Sequence, residues 1–334
     1  MNRYIKEIER SKKYLQITFA FLLIATSLNF HADENTPETE KEKSEKTAEV
    51  KKDKKNEKKE YKSIEEFIED GNYEKVVGFM NILHETKKDK YYLIIEKNKL
   101  NKEFIYFTYI LNGPQAVGAS GGSLGEGYIL EFRKFKDDIG LYKINTKFTY
   151  DEPNKITQSK LTNIIEAFMG RFKVEVKEED RFLISADKLF LSEILTSVTP
   201  NIPREYEEYY DLNLGKLDKE KTYIADIRNY PKNTAVEINY GFFNAKPKPS
   251  ASVDAVADKR YTFISARHLF VEMPDDEFEP RVADQRVGYF SQKVTDLSTY
   301  DTYPARDLMN RWRLVKKNPD AELSEPEEPI VFWV

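Results

Sequence analysis

The chain has 334 residues, of which 40% are hydrophobic, and this is enough for one large domain or two ordinary ones. The net charge is −5, and no segment combines an excess of basic residues with stacking aromatics. This composition excludes the electrostatic pattern of a nucleic-acid-binding protein. The absence of cysteine excludes disulfides, thiolate metal sites and cysteine catalysis.

At the N-terminus, a basic stretch from Met1 to Lys13 precedes an uncharged apolar stretch from Leu15 to Leu28. A membrane-spanning helix needs about 20 apolar residues, so the shorter stretch favours a secretory signal peptide over residues 1–32. We therefore expect an exported protein, periplasmic or extracellular. The cleavage site is poor because Phe30 stands where a small residue is preferred, so an uncleaved membrane anchor is an alternative. A buried core helix is a third interpretation.

Residues 33–60 are mostly Glu and Lys with almost nothing apolar. Such a stretch cannot bury enough surface to offset its chain entropy, so the sequence predicts a disordered, charged spacer. A single charged helix is the alternative, and neither interpretation assigns a site to this segment.

From residue 61 to residue 334 the sequence predicts a mainly β (α+β) region of antiparallel sheets with a few short helices. Apolar and polar residues alternate along the segments 128–135, 172–177 and 236–242, which is typical of strands with one buried face. A turn around residues 137–140 should be followed by a strand in which Tyr142, Ile144, Thr146 and Phe148 share one face. Residues 195–222 and 244–260 read as linkers or long loops.

Three short helices are predicted. Ser63 and Glu66 form a capping box before the apolar residues Ile64, Phe67 and Ile68. Helical spacing of Leu161, Ile164, Ile165 and Phe168 predicts a second helix that Gly170 would end. Residues 186–193 predict one or two further turns.

Three candidate sites have ordinary structural explanations. The segment 113–127 holds six of the 13 glycines, but no phosphate-binding motif or helix follows it, so we expect a loop between two strands. The acidic run Asp275, Asp276, Glu277 and Glu279 offers oxygen ligands for calcium without an EF-hand pattern, so we expect a solvated loop. His84 and His268 are far apart and neither lies in HExxH, so we expect no zinc site, no cofactor and no catalytic residue in this chain.

The segment PRVADQRVGYF, from Pro280 to Phe290, is the most unusual polar cluster. Arg281, Asp284 and Arg286 are close enough in sequence to form an arginine–carboxylate network, and the sequence leaves open whether it faces solvent or a partner. Val287, Tyr289 and Phe290 favour a strand, and Gly288 suggests a bulge or a close backbone approach. In NRWRL, Trp312 and Leu314 should face the core while Arg311 and Arg313 face outward. The cluster is either the polar rim of a sheet or a docking surface for another domain.

The C-terminal blocks resemble the end of the N-terminal domain of unknown function in a family of large secreted bacterial zinc-dependent metallopeptidases. Most of the specific matches lie within three short blocks: Pro280, Arg281, Asp284, Arg286 and Val287 to Phe290; Arg311 to Leu314; and Pro329 to Phe332. The family motif marks Arg281, Asp284, Arg286, Gly288, Tyr289, Phe290, Arg311, Trp312 and Arg313 as a possible domain interface.

The resemblance implies that a protease domain with the HExxH zinc motif follows the Ile330–Val334 strand, so zinc is expected only in that missing domain. The chain is then expected to be a truncated, non-catalytic region that packs on or assists the protease domain and can contact polypeptide substrate. The alternative is a stand-alone cell-envelope module that binds polypeptide or glycan through aromatic sheet faces. An enzyme with an Asp or Glu pair, as in glycosidases, is a third hypothesis.

Overall fold

The fold is taken from a computed structural model that describes residues 59–125, 127–149, 162–200, 202–248, 253–274, 279–299 and 301–331. It is mainly β, as predicted, with antiparallel sheets and two short α-helices among the described residues. The predicted signal segment and nearly all of the charged spacer lie outside the described residues. No helix in the described ranges has the length and apolarity that a membrane crossing requires.

The helices are α1 (Ile64–Glu69) and α2 (Asp187–Phe190). The strands, in chain order, are β1 Tyr73–Val76, β2 Asn81–Glu85, β3 Lys90–Glu96, β4 Glu103–Asn112, β5 Tyr128–Phe135, β6 Asp138–Lys143, β7 Phe148–Thr149, β8 Ala167–Phe172, β9 Val174–Lys177, β10 Arg181–Ser185, β11 Lys216–Leu217, β12 Tyr223–Tyr230, β13 Asn233–Phe243, β14 Tyr261–Glu272, β15 Ser291–Asp296 and β16 Ala305–Met309.

The strands form three sheets. An eight-stranded antiparallel sheet has the order β11-β13-β14-β4-β5-β6-β8, and β12 pairs with β13 beside β11. A five-stranded antiparallel sheet has the order β1-β2-β3-β10-β9. A three-stranded sheet has the order β16-β15-β7, with β15 and β7 parallel.

One apolar core joins the first two sheets. The alternating residues Val236, Ile238, Tyr240 and Phe242 of β13 are all buried in it, as the sequence predicts. Residues of β2, β3 and β10 from the five-stranded sheet belong to the same core. The segment 195–222 is a long loop rather than a linker, because Leu195, Val198, Leu212 and Leu214 enter this core.

Helix α1 covers the other face of the five-stranded sheet. The Ser63 hydroxyl accepts a hydrogen bond from the Glu66 amide at 3.0 Å, so the predicted N-terminal cap is confirmed. Ile64 and Phe67 pack with Leu83, Val176 and Leu183 in a second, smaller core. Helix α2 confirms one turn of the helix predicted over residues 186–193.

Two local predictions are wrong. The helix predicted from Leu161 to Phe168 is absent from its described part, where β8 begins at residue 167 and Ile165 is 81% exposed. The turn predicted over residues 137–140 is shorter, because β6 starts at Asp138. This shift buries Ile139 and Leu141, while Tyr142 is half-buried.

The alternation over residues 172–177 belongs to two strands rather than one. β8 ends at Phe172 in the eight-stranded sheet, and β9 begins at Val174 in the five-stranded sheet. Asp138 fixes this crossing, because its carboxylate accepts the Val174 amide at 3.1 Å and pairs with Arg171. Burial by itself would raise the pKa of Asp138. The hydrogen bonds from Val174 and Arg171 outweigh this effect, so the pKa lies below its usual value.

The side chain of Asn229 also joins the two large sheets. Its amide nitrogen donates to the carbonyls of Val76 at 2.9 Å and Met80 at 2.5 Å. Its amide oxygen accepts the Thr234 hydroxyl at 2.6 Å, and the oxygen of that hydroxyl accepts the Met80 amide at 3.1 Å. A β-carbon on Gly78 would lie 2.2 Å from the Asn229 side-chain oxygen, so only glycine fits there.

We predict that Asn229→Ala lowers the free energy of unfolding by about 2 kcal/mol, because it leaves carbonyl groups without a donor in a part-buried site. Urea denaturation followed by circular dichroism measures this change. The matched control is Arg228→Ala, which removes an exposed ion pair with Asp226 and should change stability by less than about 0.5 kcal/mol. Equal losses in the two variants would contradict the assigned role of Asn229.

Candidate functional site

The predicted motif residues converge on the three-stranded sheet. Val282 forms a β-bridge with Leu308 of β16, and the Met309 amide donates to the carbonyl of Arg281 at 2.7 Å. On the other side of β16, the Asn310 amide donates to the carbonyl of Phe290 at 2.8 Å. Adjacent strands are about 4.8 Å apart, so the backbones near residues 281 and 290 lie roughly 10 Å from each other.

Asp284 and Arg286 form the predicted arginine–carboxylate fork. The Arg286 Nε lies 2.9 Å and 3.1 Å from the two carboxylate oxygens of Asp284, and one terminal nitrogen lies 2.5 Å from Oδ2. The Arg286 amide also donates to Oδ1 of Asp284, which closes a tight turn. The pair lowers the pKa of Asp284 and raises that of Arg286. Among the described contacts, Arg281 does not join this pair.

The Asp284–Arg286 pair lies at the surface. The side chain of Arg286 is 88% exposed and that of Asp284 is 42% exposed. Residues 287–290 do not form a strand, and Tyr289 and Phe290 are 61% and 88% exposed. No atom lies within 4 Å of a β-carbon placed on Gly288, so this glycine marks no close backbone approach.

The second motif block is exposed as well. Trp312 and Leu314 are 64% and 52% exposed, so the prediction that they face the core is wrong. Arg311 is held at the surface, where it donates to the carbonyl of Glu279 at 2.6 Å. Ile330 and Val331 are also exposed and lie outside any strand, contrary to the predicted terminal strand, and residues 332–334 lie outside the described ranges.

These residues lie in a stretch of the described chain that is rich in exposed large hydrophobic residues. Half of the exposed large hydrophobic residues of the described chain lie between residues 282 and 331, and no residue of that stretch belongs to either apolar core. We use the term C-terminal surface for the exposed residues Val282, Val287, Tyr289, Phe290, Trp312 and Leu314.

The structure places the two candidate zinc histidines on separate sheets. His84 lies on β2, where its Nε2 is 2.8 Å from Asp89 and its ring stacks on Tyr91 with centroids 4.4 Å apart. His268 lies on β14 in the large core. No group of three His, Asp or Glu side chains in the described ranges can hold a metal ion.

His268 is fully buried between two tyrosines. Its Nδ1 lies 2.8 Å from the Tyr106 hydroxyl and its Nε2 lies 2.8 Å from the Tyr240 hydroxyl. One ring nitrogen of the neutral imidazole donates and the other accepts, and each tyrosine hydroxyl can take either role, so both nitrogens are satisfied in either tautomer. Burial lowers the pKa of His268 to about 3, so the ring is neutral and structural.

The glycine-rich segment is a loop between β4 and β5, as expected. Its amides are used internally, because Gly122 donates to Ile110 and Gly125 donates to Thr108, both at 2.8 Å. A β-carbon on Gly125 would lie 2.6 Å from the methyl group of Thr108, so the close approach to β4 requires glycine. The segment therefore extends the pairing of β4. In the predicted acidic loop, Asp275, Asp276 and Glu277 lie outside the described residues.

One acidic cluster lies on the outer face of the eight-stranded sheet. Glu103 is opposite Glu131 in the β4–β5 pair, while Arg133 binds Glu131 at 2.7 Å and also pairs with Glu166. Burial, followed by the charge of Glu131, raises the pKa of Glu103. The guanidinium neutralises the carboxylates it contacts, so this cluster is a structural ion-pair group and supports no assignment of a catalytic pair.

Cationic side chains cover several aromatic rings of the same face. The guanidinium of Arg133 lies 4.8 Å from the ring centroid of Tyr142, and that of Arg267 lies 5.6 Å from Tyr109. Tyr261 is approached by two cations, Arg260 at 5.4 Å and Lys221 at 5.6 Å, and Phe135 is approached by Arg171 at 5.8 Å. These cation–π contacts fix the side chains that border the outer face.

The fold and the exposed motif together describe a mainly β domain without an assembled metal centre in its described part. A domain of unknown function, DUF5117, matches residues 121–317, which is more than half of the chain. The chain therefore belongs to the DUF5117 family. No curated protein and no solved structure matches it. The matched range contains the blocks at residues 280–290 and 311–314 that carry the sequence resemblance.

We predict that the stability of the chain falls as the pH drops below about 6.5, partly through His268. The pKa of His268 is about 3 in the folded state and about 6.5 when unfolded, so the unfolded state binds a proton first as the pH falls. Within this window each pH unit costs about 1.4 kcal/mol of unfolding free energy.

Urea unfolding between pH about 7 and pH about 5 tests this window for the wild type and for His268→Gln, which can still donate and accept hydrogen bonds. The variant should start less stable and lose less stability with acidification. A third variant, His84→Gln, changes the surface histidine and should keep the wild-type slope. Parallel slopes for His268→Gln and the wild type would show that His268 does not bind the extra proton on unfolding.

Proposed function

We propose that this chain is the non-catalytic N-terminal region of an exported zinc-dependent metallopeptidase, and that its C-terminal surface packs on a protease domain. One observation supports the docking role most directly. Residues 282–331 hold half of the exposed large hydrophobic residues of the described chain, yet contribute nothing to either core. A high density of exposed apolar residues in one stretch is typical of interaction sites.

The three-stranded sheet supports the same proposal through its layering. A stable domain packs a sheet against a second layer, as the five- and eight-stranded sheets do here. In the three-stranded sheet only Val294 and the adjoining Leu297 are buried hydrophobic residues, so much of its apolar area lacks a covering layer within the described chain. A separate folded domain supplies such a layer.

The residue types at the C-terminal surface suit a protein interface. Tyr, Trp and Arg are enriched at the energetic centres of interfaces, where rigid side chains fill pockets of the partner. Phe290 and Trp312 supply exposed aromatic area, and the Asp284–Arg286 turn holds the segment in one shape before binding. Pre-organisation of this kind lowers the entropy lost on association.

The described residues do not fit the zinc site that the resemblance places in the protease domain. Both ring nitrogens of His268 are bonded to tyrosines, and Nε2 of His84 is bonded to Asp89. In this proposal zinc binding and hydrolysis belong to the protease domain, while this chain shapes, supports or helps to fold it.

We predict that the full chain alone does not cleave unfolded casein in the presence of zinc, because its described part offers no assembled zinc ligands. The measurement is release of casein fragments with and without a chelator. A separately expressed HExxH domain of the metallopeptidases that this chain resembles is the positive control. Cleavage by this chain that the chelator abolishes would refute the non-catalytic assignment.

We predict that the full chain binds that HExxH domain, and that Phe290→Ala and Trp312→Ala each weaken binding at least about tenfold, since central aromatic anchors dominate interface energy. Isothermal titration calorimetry measures the dissociation constants. The control is Phe263→Ala, which removes an aromatic residue that is 48% exposed on the eight-stranded sheet. An absence of binding would refute the proposed function. If Phe263→Ala weakens binding as much as the other two variants, the C-terminal surface is not the interface.

A further inference from the structure

A cavity of about 160 Å³ lies between the long loop of residues 195–222, the glycine-rich segment and Lys248. Its apolar lining includes Val117 from the glycine-rich segment and Leu212 and Leu214 from the long loop. These three residues are buried and belong to the large core. The apolar part of the cavity is therefore fixed by the fold, although loops form its walls.

Lys248 places a cation at this cavity. Its half-buried side chain lines the cavity and donates to the backbone carbonyls of Glu207 and, at 3.1 Å, of Tyr210. These carbonyls lie at the end of the 3-10 helix Arg204–Tyr209, where backbone acceptors have no partner inside the helix. An ammonium group has three N–H donors, and the two carbonyls take two of them. Among the described contacts, one donor of Lys248 is left for a group inside the cavity.

We infer that this cavity binds a small monocarboxylate with a short aliphatic body, and that Lys248 holds its carboxylate. Ligand sites combine apolar walls with a few polar groups that fix the orientation of the ligand. A carboxylate oxygen at the remaining donor of Lys248 forms a charge-assisted hydrogen bond, which is stronger than a neutral one. A cavity of roughly 150 Å³ accepts a molecule the size of benzene, so about six to eight non-hydrogen atoms fit here. The site is independent of the proposed function, because none of its lining residues belongs to the C-terminal surface.

Two other occupants fit the cavity less well. Its volume corresponds to about five water molecules, but each ordered water needs about two to four polar partners, and the side chains of Val117, Leu212 and Leu214 supply none. An amine would pair with the carboxylate of Glu207, which also lines the cavity. Glu207 is exposed, so solvent screens its charge, and the amine would also approach the half-buried ammonium of Lys248.

The test is a ligand-observed nuclear magnetic resonance titration of the full chain with isovalerate, a branched carboxylate of the size that the cavity accepts. Isovaleramide is the neutral molecule of the same shape, and isoamylamine is the corresponding cation. We expect isovalerate to bind with a Kd of about 1 mM, which is ordinary for so small a ligand. Isovaleramide should bind at least about tenfold more weakly, because it lacks the charge that Lys248 recognises.

Three variants locate the site. Lys248→Met should weaken isovalerate binding at least about tenfold, because it removes the charged donor. The matched control is Lys246→Met, which removes an exposed lysine outside the cavity lining and should change binding less than about twofold. Ile202→Phe enlarges a lining residue and should weaken binding without changing the charge. This variant keeps the test valid if Lys248→Met loosens the 3-10 helix.

The site is refuted if isovalerate does not bind at up to about 10 mM, or if Lys246→Met and Lys248→Met weaken its binding equally. Equal affinity for isovaleramide would overturn the carboxylate assignment. Tighter binding of isoamylamine that Glu207→Gln abolishes would replace the acid by an amine. A short peptide that ends in leucine is the last probe. If it binds more tightly than isovalerate and Lys248→Met abolishes this binding, the carboxylate site stands and its ligand is a peptide chain end.

Discussion

Apolar packing between one face of the eight-stranded sheet and one face of the five-stranded sheet is the contact on which the fold depends. Phe104 and Phe270 from the larger sheet share this core with Ile82 and Leu93 from the smaller one. Such burial contributes about 25 cal/mol per Å² of apolar surface, and in a core this size it outweighs any single polar contact. The polar groups inside the core must then be satisfied, and the hydrogen bonds of His268 to its two tyrosines show how this is done.

The apolar residues of the three-stranded sheet are not buried in this way, because the sheet belongs to neither apolar core. Its backbone hydrogen bonds are formed, as the β15–β16 register from Ser291 to Thr295 shows, but its only buried hydrophobic residues in the described chain are Val294 and the adjoining Leu297, and neither belongs to the two apolar cores. The side chains of Asp284 and Arg286 hold the backbone turn at the surface, where their ion pair contributes little to stability. The exposed apolar residues of this segment therefore add little to the two apolar cores.

The sequence predicted those features that depend on local pattern. The alternation along β13 correctly predicted the buried residues from Val236 to Phe242, because every second side chain of a strand lies on the same face of the sheet. The helix predicted around Ile165 failed because three- and four-residue spacing arose by chance across a loop and the edge strand β8. The crossing between Phe172 and Val174 could not be found either, since it depends on the distant carboxylate of Asp138.

At the candidate site, too, the sequence predicted local features and missed those that depend on distant parts of the chain. The sequence identified the residues of the motif and the pairing of Asp284 with Arg286, which are two positions apart. The sequence wrongly predicted that Trp312 and Leu314 face the core. Alternation predicts that one face of a segment is buried, but it does not say what covers that face. The buried triad of Tyr106, His268 and Tyr240 is formed by three strands, and a single histidine in a strand gave no signal for it.

Cationic groups lie over several aromatic rings of the eight-stranded sheet. Carbohydrate-binding sheets lay pyranose rings flat against open aromatic faces, and here the guanidinium groups of Arg133 and Arg267 already lie over Tyr142 and Tyr109. A saccharide would have to displace these charges and break the Arg267–Glu237 ion pair, which has a nitrogen-to-oxygen distance of 2.9 Å. The rings of Tyr142 and Tyr109 are therefore occupied by arginines, whereas the ring of Phe263, which is 48% exposed on the same sheet, has no cation over it among the described contacts.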